Sequence, residues 1–206
     1  MRVETLEIGA SGLVRICTDG GSRFLFRPEY LPAAAEPLPA PGEEVDEGLL
    51  RALEQAAATY ASEAKALELL ARAEQTRYLL TLKLRKRDFP ESAIRTALDR
   101  LETRGYLSDE RYARAWADER SRRRGEGPAR ISAGLAARGV PEDVSRRVCS
   151  ELYTAENREE ALLRAARRLL RSGRKDGEAV ARSLRTEGWK PSEIRKVLEF
   201  LRKEGD

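Results

Sequence analysis

The sequence contains no histidine and only two cysteines. Without histidine the chain cannot form a Ser-His-Asp or Cys-His nucleophile system, nor a metal site with imidazole ligands. Cys17 and Cys149 lie far apart and form no C-x-x-C pair, so neither a zinc site nor a redox motif is indicated. A disulfide between them stays open at this point, although two reduced, partly buried thiols in a reducing compartment are the favoured interpretation.

Long apolar runs and familiar catalytic motifs are also missing. No run approaches the roughly 20 residues that cross a bilayer, and the first residues, MRVETLEIGASG, lack the apolar block of a signal peptide. There is no Walker glycine loop, nucleophile elbow or paired acidic strand motif. Carboxylates are abundant, so a magnesium site is formally open, but salt bridges explain them better. We expect a cytoplasmic protein that is not an enzyme and binds no cofactor or metal.

The composition favours helices over one large core. Charged residues make up 36% of the 206 residues, hydrophobic residues 41% and aromatic residues only 6%. A charged share this far above the usual quarter suits apolar stripes on many helices better than a compact α/β enzyme. The net charge of +4 permits contact with a polyanion without demanding it.

The first 44 residues differ from the rest. Val14 and Ile16, then Phe24 and Phe26, form two short alternating runs separated by the turn-forming residues 19–22, which predicts a β-hairpin. Because a lone hairpin is marginal in water, we expect it to pack on another element or to pair with a strand near residues 3–8. Residues 31–44, LPAAAEPLPAPGEE, contain four prolines and predict an extended linker.

Three later segments resemble one another. They are LRKRDFPESAIRTALDRL, LAARGVPEDVSRRVCSEL and LRTEGWKPSEIRKVLEFL, which begin at Leu84, Leu135 and Leu184. Each has an apolar residue five places after its leucine, then a proline and an acidic residue, then apolar residues at helical spacing. The leucines are 51 and 49 residues apart, and a period near fifty over three copies is typical of a repeat architecture.

The pattern of one repeat predicts three helices around a small core. The second helix should end near Asp88, Gly139 or Gly188, where the two glycines suit a left-handed cap, and the apolar residue that follows should cover the turn. A short polar side chain should then cap the third helix. In the three copies the first cap falls at Asp88, Gly139 and Gly188, the cover at Phe89, Val140 and Trp189, and the second cap at Ser92, Asp143 and Ser192.

We therefore predict a mostly α fold of tandem three-helix repeats in an elongated, curved array, with a small N-terminal β-hairpin extension. The expected division is residues 1–44 for the hairpin and proline-rich linker, and 45–107 for a long helix and the first repeat. Residues 108–154 should form the second repeat and residues 155–206 the third.

The segment GYLSDERYARAWADERSRRR, residues 105–124, begins with residues typical of a helix start and ends in a cluster of arginines. Ser108 is placed to cap a helix whose first turn is acidic. Tyr112 and Trp116 are four residues apart and share a face, so core packing explains them better than base stacking. Pairs at i and i+4, such as Asp118 with Arg122, are expected to solvate the helix.

Basic residues cluster in three runs. The densest run, residues 120–130, contains five arginines and a single acidic residue, Glu126. It includes the loop 125–128, which we expect to be flexible. Arginines near a helix C-terminus are partly structural, but this density favours recognition of phosphates or carboxylates. The candidate binding residues are Arg120, Arg122, Arg123, Arg124 and Arg130, followed by Lys83, Arg85, Lys86 and Arg87. With a third run at residues 164–175, they could form a discontinuous basic track, although a charge run alone is more often a solvated face.

From about Leu67 onward, the sequence resembles the RecX family of bacterial regulatory proteins. The block GYLSDERYARAWADER is the most specific match, supported by Gly127-Pro128-Ala129-Arg130-Ile131. The resemblance implies a protein of tandem three-helix repeats that lodges in the groove of the RecA–single-stranded DNA filament. There it would restrain strand exchange, ATP hydrolysis and co-protease activity. Asp88 stands where the family usually has a glycine, and Gly134 where it usually has a glutamate.

Two classes of function follow from these observations. The leading hypothesis is a non-enzymatic, monomeric modulator of RecA filaments in DNA repair, recombination and the SOS response, which binds single-stranded DNA weakly or through the filament. The rival is a stand-alone DNA-binding protein, such as a helix-turn-helix regulator. A nuclease with carboxylate-bound metal is a weaker third option.

Overall fold

The computed structural model describes residues 1–35, 37–172 and 176–205. The chain divides into two compact units, Met1–Leu107 and Ser108–Asp206. The first unit contains a small sheet and the first three helices, and the second unit contains six helices within its described residues. The finer four-part division expected from the sequence stays a prediction.

The N-terminal sheet has three antiparallel strands, β1 Val3–Ile8, β2 Val14–Thr18 and β3 Arg23–Phe26, in the order β1-β2-β3. Val14 pairs with Phe26 and Ile16 pairs with Phe24. These four side chains are buried, so the alternation seen in the sequence does mark the core face. The predicted hairpin is confirmed, and β1 is the extra strand that covers its edge.

The proline-rich segment returns to the sheet before the first helix. Short 3₁₀ turns form at residues 28–30 and 33–35. The Val3 amide then donates to the carbonyl of Glu43 at 3.0 Å, and the Val45 amide donates to the carbonyl of Met1 at 2.8 Å. These backbone bonds attach the entry of the first helix to the first strand.

The remaining chain is helical. The helices are α1 Glu47–Arg72, α2 Arg77–Arg85, α3 Glu91–Thr103, α4 Asp109–Arg124, α5 Pro128–Ala136, α6 Glu142–Leu152, α7 Ala155–Arg171, α8 Gly177–Thr186 and α9 Pro191–Gly205. Each repeat comprises three consecutive helices, beginning with α1, α4 and α7, and this confirms the predicted tandem three-helix architecture. In the second unit, α4 packs on α5 and α6, while α7 packs on α8 and α9.

The same turn joins the second and third helices of every repeat. Leu84, Leu135 and Leu184 are fully buried. The carbonyl of each accepts a hydrogen bond from the amide five residues later, at 3.4, 3.1 and 3.1 Å. The residue before that amide is left-handed, with φ of 60° at Asp88, 72° at Gly139 and 88° at Gly188. This is the Schellman arrangement, and it confirms the predicted helix ends.

The predicted polar caps of α3 and α6 are not formed. Pro90 and Pro141 occupy the N-cap positions of α3 and α6, and neither N-cap donates or accepts a side-chain capping bond. The Ser92 hydroxyl instead donates to Gln55 Oε1 at 2.8 Å. Proline has its φ fixed near the required value, so it starts these helices without a polar cap. Sequence spacing alone could not separate the two solutions.

A buried carboxylate links the first repeat to the N-terminal segment. Glu63 on α1 is 5% exposed, and its oxygens lie 3.2 Å from Arg100 and 3.3 Å from Arg104 on α3. Both arginines also contact Glu29, at 2.9 and 3.1 Å. Burial, assisted by a hydrogen bond to Glu63, raises the pKa of Tyr30 to about 12. The 3₁₀ turn at residues 28–30, α1 and α3 are thus held by one polar network.

The second and third repeats share one core, and the loop 125–128 lies inside it. Gly125, Glu126 and Gly127 are buried. The Trp189 indole donates to the carbonyl of Gly125 at 2.9 Å, and the Tyr153 hydroxyl donates to the carbonyl of Glu126. The expectation of a flexible loop is therefore wrong. Two glycines within three residues suggested mobility, but these residues allow close approach of the next repeat.

Gly127 shows why the approach needs glycine. Its amide donates to the carbonyl of Glu187 at 2.6 Å. A Cβ at this position would lie 2.8 Å from the carbonyl oxygen of Gly188 and 2.8 Å from the Trp189 ring. Backbone and a buried aromatic ring cannot move aside cheaply, so any side chain at Gly127 would separate the two repeats.

We predict that Asp88→Gly stabilises the protein. An L-residue in the left-handed region costs about 1–2 kcal/mol, less for Asp than for most residues. Glycine removes that strain but loses about 0.4–1 kcal/mol through the unfolded chain, so the net gain should be roughly 0.5 kcal/mol. The matched change Gly139→Ala should destabilise by about 1 kcal/mol. Urea unfolding followed by circular dichroism measures both, and a loss of stability in Asp88→Gly would contradict the strain argument.

We also predict a stability loss at high pH that depends on Tyr153. Burial raises its pKa from 10.0 to about 12. A group whose pKa is higher in the folded than in the unfolded protein stabilises the fold fully at pH values below its unfolded pKa. For Tyr153 this stabilisation is lost as the pH rises from about 10 to 12. Tyr153→Phe should be less stable by about 1 kcal/mol below pH 10, and the gap should close as the pH rises through that window.

Tryptophan fluorescence is the measurement for this prediction, because Trp116 and Trp189 are the only tryptophans and both belong to the second unit. Urea unfolding would be followed at several pH values for both proteins. A stability gap that stays constant from pH 9 to 12 would show that the Tyr153 hydroxyl does not titrate as the structure requires.

Candidate anion-binding surface

Helix α4 presents the densest arginine run. Ser108 caps its start by accepting a hydrogen bond from the Arg111 amide at 3.2 Å, and Asp109 and Glu110 occupy the first turn. The last turn holds three arginines, and left-handed Gly125 ends the helix. Acidic residues at the start and basic residues at the end both suit the helix dipole. The sequence thus builds α4 so that arginines gather at its C-terminus.

Tyr112 and Trp116 lie on the core side of α4. Both are partly buried and pack against the shared core, so the core interpretation is confirmed. Trp116 rests on Gly134, where a Cβ would collide with the ring. The guanidinium groups of Arg120 and Arg138 lie 5.0 and 4.5 Å from the indole centre. The residue that departs from the family pattern, Gly134, is therefore the one that admits this tryptophan.

Two of the five predicted binding arginines neutralise a buried carboxylate. Glu126 is 1% exposed, and its oxygens lie 3.1 Å from Arg120 and 3.5 Å from Arg130. Arg130 also donates to the carbonyl of Thr186 at 2.9 Å. A buried carboxylate is costly unless it is paired, so these contacts hold the junction of the second and third repeats together. The structure gives Arg120 and Arg130 an internal role that the sequence did not suggest.

The other three arginines extend into solvent. The side chains of Arg122 and Arg123 are 76% and 80% exposed, and their partners at i−4 lie 2.8 and 3.9 Å away. Arg124 is exposed and has no carboxylate partner within the described part of the chain. Exposed pairs of this kind contribute little to stability. These guanidinium groups are therefore available to an external anion.

Helix α7 adds a fourth arginine beside them. Arg168 donates to the carbonyls of Arg123, at 2.8 Å, and Arg124. It thereby caps the C-terminus of α4 from the neighbouring repeat, where the helix dipole favours a cation. We call Arg122, Arg123, Arg124 and Arg168 the arginine surface. The three exposed guanidinium groups can bind phosphate or carboxylate oxygens in pairs. Arg168, whose donors cap α4, adds positive charge beside them.

The second predicted run lies in the first unit, at the end of α2. Lys83 donates to Gln75 Oε1 at 2.7 Å, and Arg87 donates to the carbonyl of Lys83 at 2.6 Å. Arg85 makes two hydrogen bonds to Glu91, at 2.8 and 2.7 Å, which raise the pKa of its guanidinium above the ordinary value. Lys86 is exposed. This run ends a second helix, whereas the arginine surface ends a first helix, so the runs do not occupy corresponding places in the repeat.

The third run contributes unevenly. Arg164 pairs with Glu160 at 2.5 Å on the exposed side of α7, and Arg168 belongs to the arginine surface. Gly173, Arg174 and Lys175 lie outside the described residues.

Charge is also divided unequally between the units. Residues 1–107 contain 15 basic and 17 acidic residues, and residues 108–206 contain 24 and 18, so the net positive charge resides entirely in the second unit.

The described residues offer few alternatives to an anion-binding surface. Within the described ranges, no three His, Cys, Asp or Glu side chains are grouped so that they could hold a metal ion. Over the same ranges, no helix combines the length and the apolar character that crossing a membrane requires. Cys17 and Cys149 are both free thiols, as the sequence favoured, and burial raises the pKa of Cys149.

Two family models match the helical part of the chain. The first three-helix domain of RecX matches residues 64–101, and the second three-helix domain of RecX matches residues 108–148. The second match covers α4, α5 and most of α6, and therefore includes the exposed arginines of α4.

Curated relatives carry the description "Regulatory protein RecX". One from Thermus thermophilus is 47% identical over 93 residues, which cover 45% of this chain and 63% of the relative. One from Thermobifida fusca is 37% identical over 118 residues, which cover 57% and 64%. The matched part of this chain thus spans just under two thirds of these relatives' own length.

Two solved structures share the fold. The crystal structure of a regulatory protein RecX matches 96% of this chain and 98% of its own, with a TM-score of 0.75 and 22% identity. The crystal structure of RecX from Lactobacillus salivarius matches 70% of this chain and 96% of its own, with a TM-score of 0.62 and 22% identity. Residues 64–101 and 108–148 thus match the first and second three-helix domains of RecX, and the chain shares the fold of the two solved RecX structures.

Proposed function

We propose that this protein binds the RecA–single-stranded DNA filament and inhibits the recombinase, ATPase and co-protease activities of RecA. The observation that carries the proposal is the arginine surface on the second three-helix domain. Arg122 and Arg123 are more than three-quarters exposed, and their pairs with acidic side chains on the same helix are weak in water. They can exchange those partners for a filament's phosphates or carboxylates at little cost.

The internal role of Arg120 and Arg130 supports this assignment. Because these two hold Glu126 at the junction between repeats, they fix the position of the α4 C-terminus. Arg168 fixes it further from α7. The exposed arginines therefore project from a rigid site, and less conformational entropy is lost when they bind.

The chemistry also suits a regulator that acts by contact alone. Binding would be spread over several charge-assisted hydrogen bonds, each of modest strength. Contacts to phosphate weaken steeply with salt, because cations released from the DNA drive the association. The exposed basic side chains of the first unit, such as Lys86, are secondary candidates for the same interaction.

We predict that Arg122→Ala/Arg123→Ala/Arg124→Ala weakens inhibition of RecA ATP hydrolysis on single-stranded DNA. The half-inhibitory concentration should rise at least about tenfold, since losing even one charge-assisted hydrogen bond can cost 1.5–3 kcal/mol. Circular dichroism and urea unfolding should be close to wild type, because the three side chains are exposed. In contrast, Arg120→Ala should lower stability, because the buried carboxylate of Glu126 would lose its nearest cation.

The matched control is Arg146→Ala/Arg164→Ala/Arg182→Ala. These arginines belong to the same unit, are 60–72% exposed, and each pairs with a glutamate four residues earlier. The control changes the net charge by the same amount as the test variant. Equal loss of inhibition in both variants would show that inhibition depends only on net charge. Unchanged inhibition in the test variant would show that the arginine surface is not the binding site.

The rival hypothesis, a helix-turn-helix regulator of duplex DNA, is tested in the same preparation. A duplex reader should hold a specific site at physiological salt. If the wild-type protein leaves RecA ATP hydrolysis unchanged at stoichiometric amounts but selects a specific duplex from a random library, the proposed function is wrong.

A further inference from the structure

The three repeats differ most in the groove between their second and third helices. Leu84 and Leu184 occupy equivalent positions 100 residues apart, so the first and third repeats can be compared residue by residue. In the third repeat this groove, between α8 and α9, has a volume of about 410 Å³. Its floor is apolar and its rim is mainly basic. It lies away from the arginine surface, which is formed by α4 and α7.

Ion pairs bridge the groove of the first repeat. Arg77 on α2 contacts Asp99 and Glu102 on α3, each at 2.6 Å. At the other end, Arg85 makes two hydrogen bonds to Glu91, at 2.8 and 2.7 Å. Leu98, which lies between these bridges in sequence, is fully buried. The first repeat thus satisfies its groove arginines with its own carboxylates.

The second repeat closes the same groove with small side chains. The Ser145 hydroxyl donates to Ser132 Oγ at 3.4 Å, and Cys149 Sγ lies 4.0 Å from the carbonyl of Pro128. These contacts are between α5 and α6, which correspond to α8 and α9. In the third repeat, Ala181 and Ile194 stand where the two serines are, so the polar contact is replaced by an apolar groove lining.

The third repeat keeps one of the two bridging arginines of the first repeat but has lost the carboxylate that pairs with it. Arg185 corresponds to Arg85, but Pro191 stands in place of Glu91. Gly177 replaces the other bridging arginine, and Arg202 replaces Glu102, which reverses its charge. The ion pairs that bridge the first repeat therefore cannot form, and Leu198, the counterpart of buried Leu98, is only partly buried.

Three arginines of this rim have no carboxylate within ion-pair distance among the described residues. Arg185 donates only to the carbonyl of Ala181, at 3.3 Å, and Arg195 and Arg202 are exposed. Two glutamates also line the groove. Glu178 pairs with Arg182, outside the groove lining, at 3.8 Å, and Glu199 is exposed. An excess of unpaired guanidinium groups over an aliphatic floor is complementary to carboxylates joined to an apolar side chain.

We propose that the α8–α9 groove is a docking site for an acidic segment of another protein. One of its carboxylates would take the part that Glu91 plays for Arg85 in the first repeat, others would pair with Arg195 and Arg202, and one apolar side chain would cover Leu198. Single-stranded nucleic acid is a poorer match, because the groove lining contains no aromatic side chain on which bases could stack.

The test measures binding of a synthetic peptide by fluorescence anisotropy. The probe is a short fluorescein-labelled peptide of Asp and Glu residues around one central Leu. It should bind the full-length protein, and Arg195→Ala/Arg202→Ala should weaken it at least about tenfold, the loss of roughly one charge-assisted contact. The matched control Arg146→Ala/Arg164→Ala, which removes the same charge elsewhere in the unit, should change binding less than about twofold.

A second variant restores the arrangement of the first repeat. Pro191→Glu gives Arg185 an internal partner, as Glu91 does for Arg85, and should therefore also reduce peptide binding while the protein stays folded by circular dichroism. A peptide with Lys and Arg in place of its acidic residues should not bind. Replacing the central Leu with Asn should weaken binding, because the apolar floor is then left uncovered.

Several results would overturn the proposal. They are no binding of the acidic peptide, equal losses in groove and control variants, or displacement of the peptide by a single-stranded oligonucleotide that depends on Arg195 and Arg202. Self-association abolished by the same two substitutions would assign the groove to a second copy of this chain instead. The assay contains neither RecA nor DNA, so its failure would leave the proposed filament function untouched.

Discussion

One hydrogen-bonded turn sets the architecture of the whole helical region. In each repeat a buried leucine carbonyl accepts the amide five residues later, and a left-handed residue between them reverses the chain. That reversal places the second and third helices side by side and buries the leucine under the following apolar residue. Every later feature, including the shared core and the grooves, depends on this geometry being made three times.

The three repeats share this backbone but differ in the side chains that line the groove between the second and third helices. Ion pairs close the first groove, serines close the second, and the third is left open with its arginines unpaired. Repeats that are alike in backbone need not be alike in binding. Where internal partners are missing, polar groups stay solvated and can exchange water for a ligand.

Arginine density alone was a poor guide to which arginines are exposed. Within one run, Arg120 and Arg130 hold the buried carboxylate of Glu126, while Arg122 to Arg124 face solvent. A carboxylate that is 1% exposed must be paired, and this requirement engages two cations in an internal ion pair, although the Arg130 side chain stays 45% exposed. The loop that carries Glu126 is rigid for the same reason, although its glycines suggested flexibility.

The sequence by itself determined the local structure. Alternating apolar residues marked the strands, the fifty-residue period marked the repeats, and Ser108 marked the start of α4, since each depends on nearby residues in the chain. Only the tertiary structure decided which charges meet across the fold. Arg130 with Glu187, Glu63 with Arg100, and the missing partner of Arg185 involve side chains on different helices or helix ends. Burial, which sequence spacing does not report, determines whether such a charge is used internally or left for a partner.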